Sequence, residues 1–121
     1  MGKAYEDIKK ALCIMCFTKN IDDISVNEIV KKAGYSRTYF YHNFNSKEDL
    51  IDKILCDEAK LYTFACHLDG NPETYNEKYR EMSVNLLNHI YNNKYTYFAI
   101  LNNHLAQNSR QLFCNKAKNF L

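Results

Sequence analysis

The stretch Ser25-Val26-Asn27-Glu28-Ile29-Val30-Lys31-Lys32-Ala33-Gly34-Tyr35-Ser36-Arg37-Thr38-Tyr39-Phe40-Tyr41-His42-Asn43-Phe44 contains two helix starts and one helix stop within twenty residues. Ser25 followed by Glu28 is a capping box: the hydroxyl accepts the N3 amide and the glutamate reaches back to the cap amide. The spacing predicts a helix over Val26 to Ala33 with Val26, Ile29, Val30 and Ala33 facing inward. Gly34 suits the left-handed backbone position just past a helix end. Ser36 then caps a second short helix, Arg37 to about Asn43. Two short helices joined by a glycine turn are the layout of a helix-turn-helix. Phe40 and Phe44 are expected to lock the crossing against Ile29, Val30 and Ala33, leaving Arg37, Thr38, Tyr39 and His42 on the outer side.

Outward from this stretch, helical spacing continues. Tyr5, Ile8, Leu12, Met15 and Cys16 place a first amphipathic helix from Ala4 to about Lys19. A second capping box, Ser46-Lys47-Glu48-Asp49, opens a long fourth helix carrying Leu50, Ile51, Ile54, Leu55, Leu61 and Tyr62. Asp69-Gly70-Asn71-Pro72-Glu73 breaks the chain, with Asn71 as cap and Pro72 as first helical residue. A fifth helix follows with Tyr75, Tyr79, Met82, Leu86, Leu87 and Ile90 on its apolar face, then a sixth with Tyr97, Phe98, Leu101 and Leu105, and a seventh from Ser109.

Composition agrees with an all-α domain. The chain has 121 residues, room for one core; it is 46% hydrophobic and 25% charged, with only 3 Gly and 1 Pro to punctuate strands. No apolar run approaches the ~18 residues of a membrane span, and the acidic start lacks the apolar stretch of a secretory signal, so a cytoplasmic protein is expected. Its five cysteines fit reduced thiols packed as small hydrophobes. Cys13 and Cys16 have C-x-x-C spacing, but no second pair completes a zinc site, so two core residues one turn apart is the better reading. His67, His89 and His104 share no metal spacing, and neither a metal nor a cofactor is expected. No G-x-S-x-G, phosphate loop or recognisable carboxylate pair supports an enzyme.

Charge singles out the same stretch. Between Ser25 and Lys47 the cations Lys31, Lys32, Arg37 and Lys47 stand against Glu28 alone; directly afterwards Glu48, Asp49, Asp52, Asp57 and Glu58 stand against Lys53. A basic block that coincides with a helix-turn-helix is an expected footprint of double-stranded DNA. The second helix of such a motif lies in the major groove. Arg37 is then the candidate for bidentate contact with guanine, Thr38 for a thymine methyl or a phosphate, and Tyr39 for its hydroxyl or ring, with His42 alongside. Ser25 and Ser36 sit at helix N-termini, where free amides favour a phosphate.

Residues 25–50, with their Ala33-Gly34 turn, the Tyr41 near the end of the second short helix and the Phe44-Asn45-Ser46-Lys47-Glu48-Asp49-Leu50 entry to helix four, resemble the DNA-binding domain of the tetracycline-repressor (TetR) family. The resemblance spans about residues 5 to 55 and departs at Asn43, where the family usually has His or Tyr. It implies a three-helix DNA-binding head over residues 1–46, joined to a partial helical-bundle regulatory and dimerisation domain over 47–121. It also implies that Tyr41 and Lys47 hold DNA phosphates. A ligand-responsive repressor that binds a palindromic operator as a homodimer is the expected function. A small apolar or cationic effector would lie among Tyr79, Met82, Leu86, Tyr97 and Leu101. The aromatic set Tyr75, Tyr79, Tyr91, Tyr95, Tyr97 and Phe98 is expected to be ordinary core, which a pocket could share. Family members commonly continue for several more helices, whereas this sequence ends at Asn119-Phe120-Leu121 in mid-pattern, so a fragment or a naturally shortened chain is expected. The alternative function is a helical interaction module that pairs with a full-length regulator.

Overall fold

A computed structural model describes residues 2–65 and 75–120, with side chains described for 2–63 and 80–120. The described residues form seven α-helices, α1 (Lys3–Met15), α2 (Val26–Ala33), α3 (Arg37–Asn43), α4 (Lys47–Ala65), α5 (Tyr75–Asn92), α6 (Lys94–Leu101) and α7 (Ser109–Lys118), plus a 3-10 turn at Ile21–Asp23. They include no strand, and none of these helices is long and apolar enough to cross a membrane. The Asn71-Pro72 start expected for the fifth helix lies outside the described residues.

Local chemistry sets the starts. Ser25 Oγ accepts the Glu28 amide at 3.2 Å while Glu28 Oε1 accepts the Ser25 amide at 3.4 Å, closing the capping box. Ser36 Oγ takes the Tyr39 amide at 3.0 Å and Ser46 Oγ the Asp49 amide at 3.1 Å. At α4 the return bond shifts by one residue: the shorter Asp49 carboxylate accepts from the Asn45 amide, at 2.9 Å, in place of Ser46. Gly34 has φ +86°, and the Gly34 and Tyr35 amides both close on Val30 O at 2.8 and 2.9 Å.

Two helix ends differ from the sequence expectation. α1 stops at Met15, because Phe17 and Thr18 turn back to Ile14 O and Met15 O and wind the chain into a tighter turn well before Lys19. α6 stops at Leu101, because Asn103 adopts φ +58° and His104 bonds back to Ala99 O at 2.8 Å. Asparagine tolerates this left-handed position. Leu105 therefore lies outside the helix, yet it is fully buried.

Among the described residues one core runs through the helices. Ile8, Leu12, Ile29, Phe40, Leu50, Ile54, Leu55, Ile100 and Leu105 are buried to within 1% and belong to a single cluster. α1 packs on α2 and also on α6, and α4 packs on α7, so the core crosses the 46/47 boundary expected between head and body. At this crossing lies a polar knot. Lys9 Nζ donates to Glu58 Oε1 at 3.0 Å, to Glu6 at 3.0 Å and to Asn93 Oδ1 at 3.4 Å. His89 Nε2 lies 3.3 Å from Glu58 Oε2 and 2.7 Å from the Tyr97 hydroxyl. The side chains of Lys9 and Glu58 are 6% and 1% exposed. Desolvation alone would lower the Lys9 ammonium, but the Glu58 and Glu6 carboxylates outweigh it and hold the group above its ordinary value.

Removing one member of a buried pair leaves the other charged and unmatched. Lys9→Met should therefore cost about 3 kcal/mol in urea unfolding, and Lys9→Met combined with Glu58→Leu should cost less than Lys9→Met alone.

Candidate nucleic-acid interface

α3 has only seven residues, and an isolated helix that short is not stable in water. Its position is fixed from one side by Phe40, which has no exposed surface and whose ring lies 5.2 Å from that of Phe44; Phe44 in turn meets Tyr5 of α1 at 6.4 Å. With Phe40 inward, the 100° step of a helix puts Thr38 and His42 at the centre of the outer face. Arg37 and Tyr41 fall on one flank and Tyr39 on the other. All five are exposed.

The flanks are internally ordered. The Arg37 guanidinium lies 5.5 Å from the centre of the Tyr41 ring, one turn along, a cation–aromatic contact that orients both groups. On the opposite flank the Tyr39 ring lies 5.2 Å from that of Tyr35, and the Tyr35 hydroxyl donates to Asp7 Oδ2 at 2.8 Å. That bond ties the inter-helix turn to α1, and the Asp7 carboxylate raises the Tyr35 hydroxyl above its ordinary value. Asn43, the residue that departs from the family pattern, donates from Nδ2 to Tyr39 O at 2.9 Å and serves the end of its own helix.

The serines differ in what they have left to offer. Ser25 Oγ lies 3.2 Å from Glu28 Oε1 as well as accepting an amide, so both hydroxyl functions are engaged. Ser36 Oγ accepts the Tyr39 amide, and the residue is exposed at the start of α3. Lys31 and Lys32 are exposed in the last turn of α2.

Lys47 has a role that sequence reasoning missed. Its ammonium donates to Ile21 O at 2.6 Å and Ile24 O at 2.9 Å, closing the 3-10 turn onto the first turn of α4. It is half-buried, unlike the exposed α3 residues. The 3-10 turn has no capping signature, so no local signal could have announced this partner.

The expected effector residues are not gathered in the same way. The Tyr79 side chain lies outside the described residues, and Met82 and Leu86 are half-buried. Tyr97 is buried, its ring 6.4 Å from Tyr62, 5.9 Å from Phe113 and 5.4 Å from His89. Leu101 is 44% exposed. Of the aromatic set expected as core, Tyr97 is buried while Tyr91, Tyr95 and Phe98 are exposed, and Tyr75 and Tyr79 lie outside the described side chains. A cleft of about 450 Å³ opens elsewhere, between α1 and the α5–α6 elbow, lined by Glu6, Asp7, Lys10, Tyr91, Lys94 and Tyr95 among others. Cys13 and Cys16 are core: burial pushes their thiols up to about 12 and about 11, which disfavours thiolate chemistry at neutral pH.

Residues 14–54, from the last turn of α1 to the first half of α4, match the family model described as bacterial regulatory proteins, tetR family. Over those residues the chain is similar to the DNA-binding head of that family. No curated protein and no solved structure matches the chain. The tetR-family match covers the helix-turn-helix with its capping box, glycine turn and exposed outer arc, and it supports a DNA-binding transcription regulator.

Because Lys47 closes the turn that carries α2, Lys47→Ala should destabilise the head by about 2 kcal/mol, read by urea unfolding without any DNA present. Retained stability would mean that the two carbonyl bonds contribute nothing net.

Proposed function

We propose that the chain is a sequence-specific transcription regulator that lays α3 in the DNA major groove, with a head over residues 1–46 and a regulatory and dimerisation region over 47–121. The observation that carries this reading is the outer face of α3: Arg37, Thr38, Tyr39, Tyr41 and His42 are all exposed on a helix pinned from behind by Phe40. A groove-reading helix needs such an arrangement, rigid on its inner side and polar on its outer side.

Roles follow from position. Thr38 and His42, at the centre of the arc, would meet base edges; Arg37 would reach a guanine from the flank, and Tyr39 would share the reading on the other. Tyr41, steadied by Arg37, and the Ser36 hydroxyl would hold phosphates, with Ser25 contributing through its helix start. The two carbonyls leave Lys47 one N–H for a phosphate, so its effect on DNA would come partly through the placement of α2.

One short helix reads few base pairs, so two copies on a palindromic operator are the economical arrangement. Repression is the simpler outcome, since occupying an operator needs no further contact to block transcription. An effector that prefers one spacing of the two heads would switch the protein; among the groups that could contribute are Met82, Leu86, Tyr97 and Leu101, with Tyr79. The shared core of α1, α4 and α6 supports this, because movement in the body would carry the head with it. Such a regulator works in the cytoplasm beside its DNA.

Selection of binding sites from random DNA by the purified protein tests the reading; a pool without an enriched motif would sink it. On the selected site, Arg37→Ala should cost about 1 to 3 kcal/mol and relax preference at one base pair. Tyr41→Phe should instead weaken selected and random DNA alike, measured over a range of salt.

A further inference from the structure

The cleft between α1 and the α5–α6 elbow is lined neither by the outer residues of α3 nor by Met82, Leu86, Tyr97 or Leu101. Its volume of about 450 Å³ falls within the range of about 300 to 1,000 Å³ usual for small-molecule sites. α1 supplies one wall through Glu6, Asp7, Lys9 and Lys10, and the elbow supplies the other, with Tyr91, Lys94 and Tyr95 among its residues.

The charges on the two walls are not equally free. Glu6 Oε2 lies 3.0 Å from Lys9 Nζ, and Asp7 Oδ2 accepts from the Tyr35 hydroxyl at 2.8 Å, so each carboxylate already has a partner. Lys9 is engaged as well, its three N–H donors going to Glu6, Glu58 and Asn93. Lys10 and Lys94 differ. Both are exposed, and among the described residues neither has a carboxylate partner. A cation entering the cleft would have to compete with bonds already made, whereas an anion would meet two ammonium groups without a counter-charge.

The elbow wall also offers flat apolar surface. Tyr91 and Tyr95 are 68% and 39% exposed, and the Lys94 ammonium lies 4.6 and 5.7 Å from their ring centres. Those contacts hold the charge beside the rings without neutralising it. α6 moreover begins at this wall with no side-chain cap, and the open amides of a helix start favour negative charge.

We infer that this cleft binds a small aromatic anion, a carboxylate or a phosphate ester of one or two rings. Its acidic group sits between Lys10 of α1 and Lys94 of α6, and its rings lie against Tyr91 and Tyr95. Such a ligand is held from α1 and from the elbow at once. Lys9 and Asn93, whose bond already joins those two elements, line the same cleft, so an occupant adds a second tie across that joint. The use of the site as a regulatory input rests on the function proposed above; the site itself does not.

Titration calorimetry of the whole chain at low salt is the test, with far-UV circular dichroism as the check on folding. 2-Naphthoate and 2-naphthyl phosphate should both bind, and acetate, inorganic phosphate and 2-naphthylmethylamine should bind at least about tenfold more weakly, because each lacks the ring or the negative charge. Lys10→Ala and Lys94→Ala, at exposed positions, should keep the fold and each weaken both aromatic anions about tenfold, whereas Lys31→Ala, which removes an equal charge from α2, should leave them unchanged. Absence of binding at millimolar concentration, an amine that binds as well as the carboxylate, inorganic phosphate that binds as well as its naphthyl ester, or equal anion affinity in wild type and the Lys10→Ala, Lys94→Ala double variant would each overturn the site. Anion binding by a chain that selects no DNA would leave this site standing and refute the regulator; a chain that selects DNA and binds neither aromatic anion would do the reverse.

Discussion

The burial of Phe40 is the constraint on which the outer surface depends. A seven-residue helix cannot hold itself, so the direction of every outward side chain on α3 is inherited from one ring with no exposed area. Once that ring is seated beside Phe44, the helical period leaves Thr38 and His42 no orientation but outward. The Arg37–Tyr41 contact and the Tyr35–Asp7 bond then steady the two flanks, so the arc is ordered before any partner arrives.

The head is not an independent bead on a string. Lys9 of α1 meets Glu58 of α4 and Asn93 at the α5–α6 break, with His89 of α5 on the second Glu58 oxygen and Tyr97 of α6 on His89. Buried charges tolerate little displacement, because a lengthened bond returns the desolvation cost without the attraction that offset it. Motion of α5 or α6 relative to α1 is therefore opposed by this knot, and the elements joined there are expected to move as a unit. The adjoining cleft between α1 and the elbow lies where such motion would be felt first.

α5 illustrates a different pressure. A helix that contributes one side to a core and carries Val84, Leu87 and Tyr91 on the other has more apolar surface than one layer of packing can cover. The same holds, on a smaller scale, for Leu61 of α4 and for the Phe17–Phe98 stack, whose rings lie 4.4 Å apart and remain partly in solvent.

What the sequence alone determined is local. The starts of α2, α3 and α4 at Val26, Arg37 and Lys47, and the stop of α2 at Gly34, were legible because caps and glycine turns involve groups within four residues of one another. The helix-turn-helix, and with it the resemblance to the family, followed from those signals in order. Only the tertiary structure decided that Leu87 of α5 turns outward, that Leu105 stays buried after α6 has ended, that Glu58 is hidden with Lys9, and that Lys47 closes a 3-10 turn more than twenty residues away. These depend on which elements meet. A residue's periodicity states that it has two sides, but burial and partnership are properties of the surface it is pressed against, and that surface exists only once distant parts of the chain have packed.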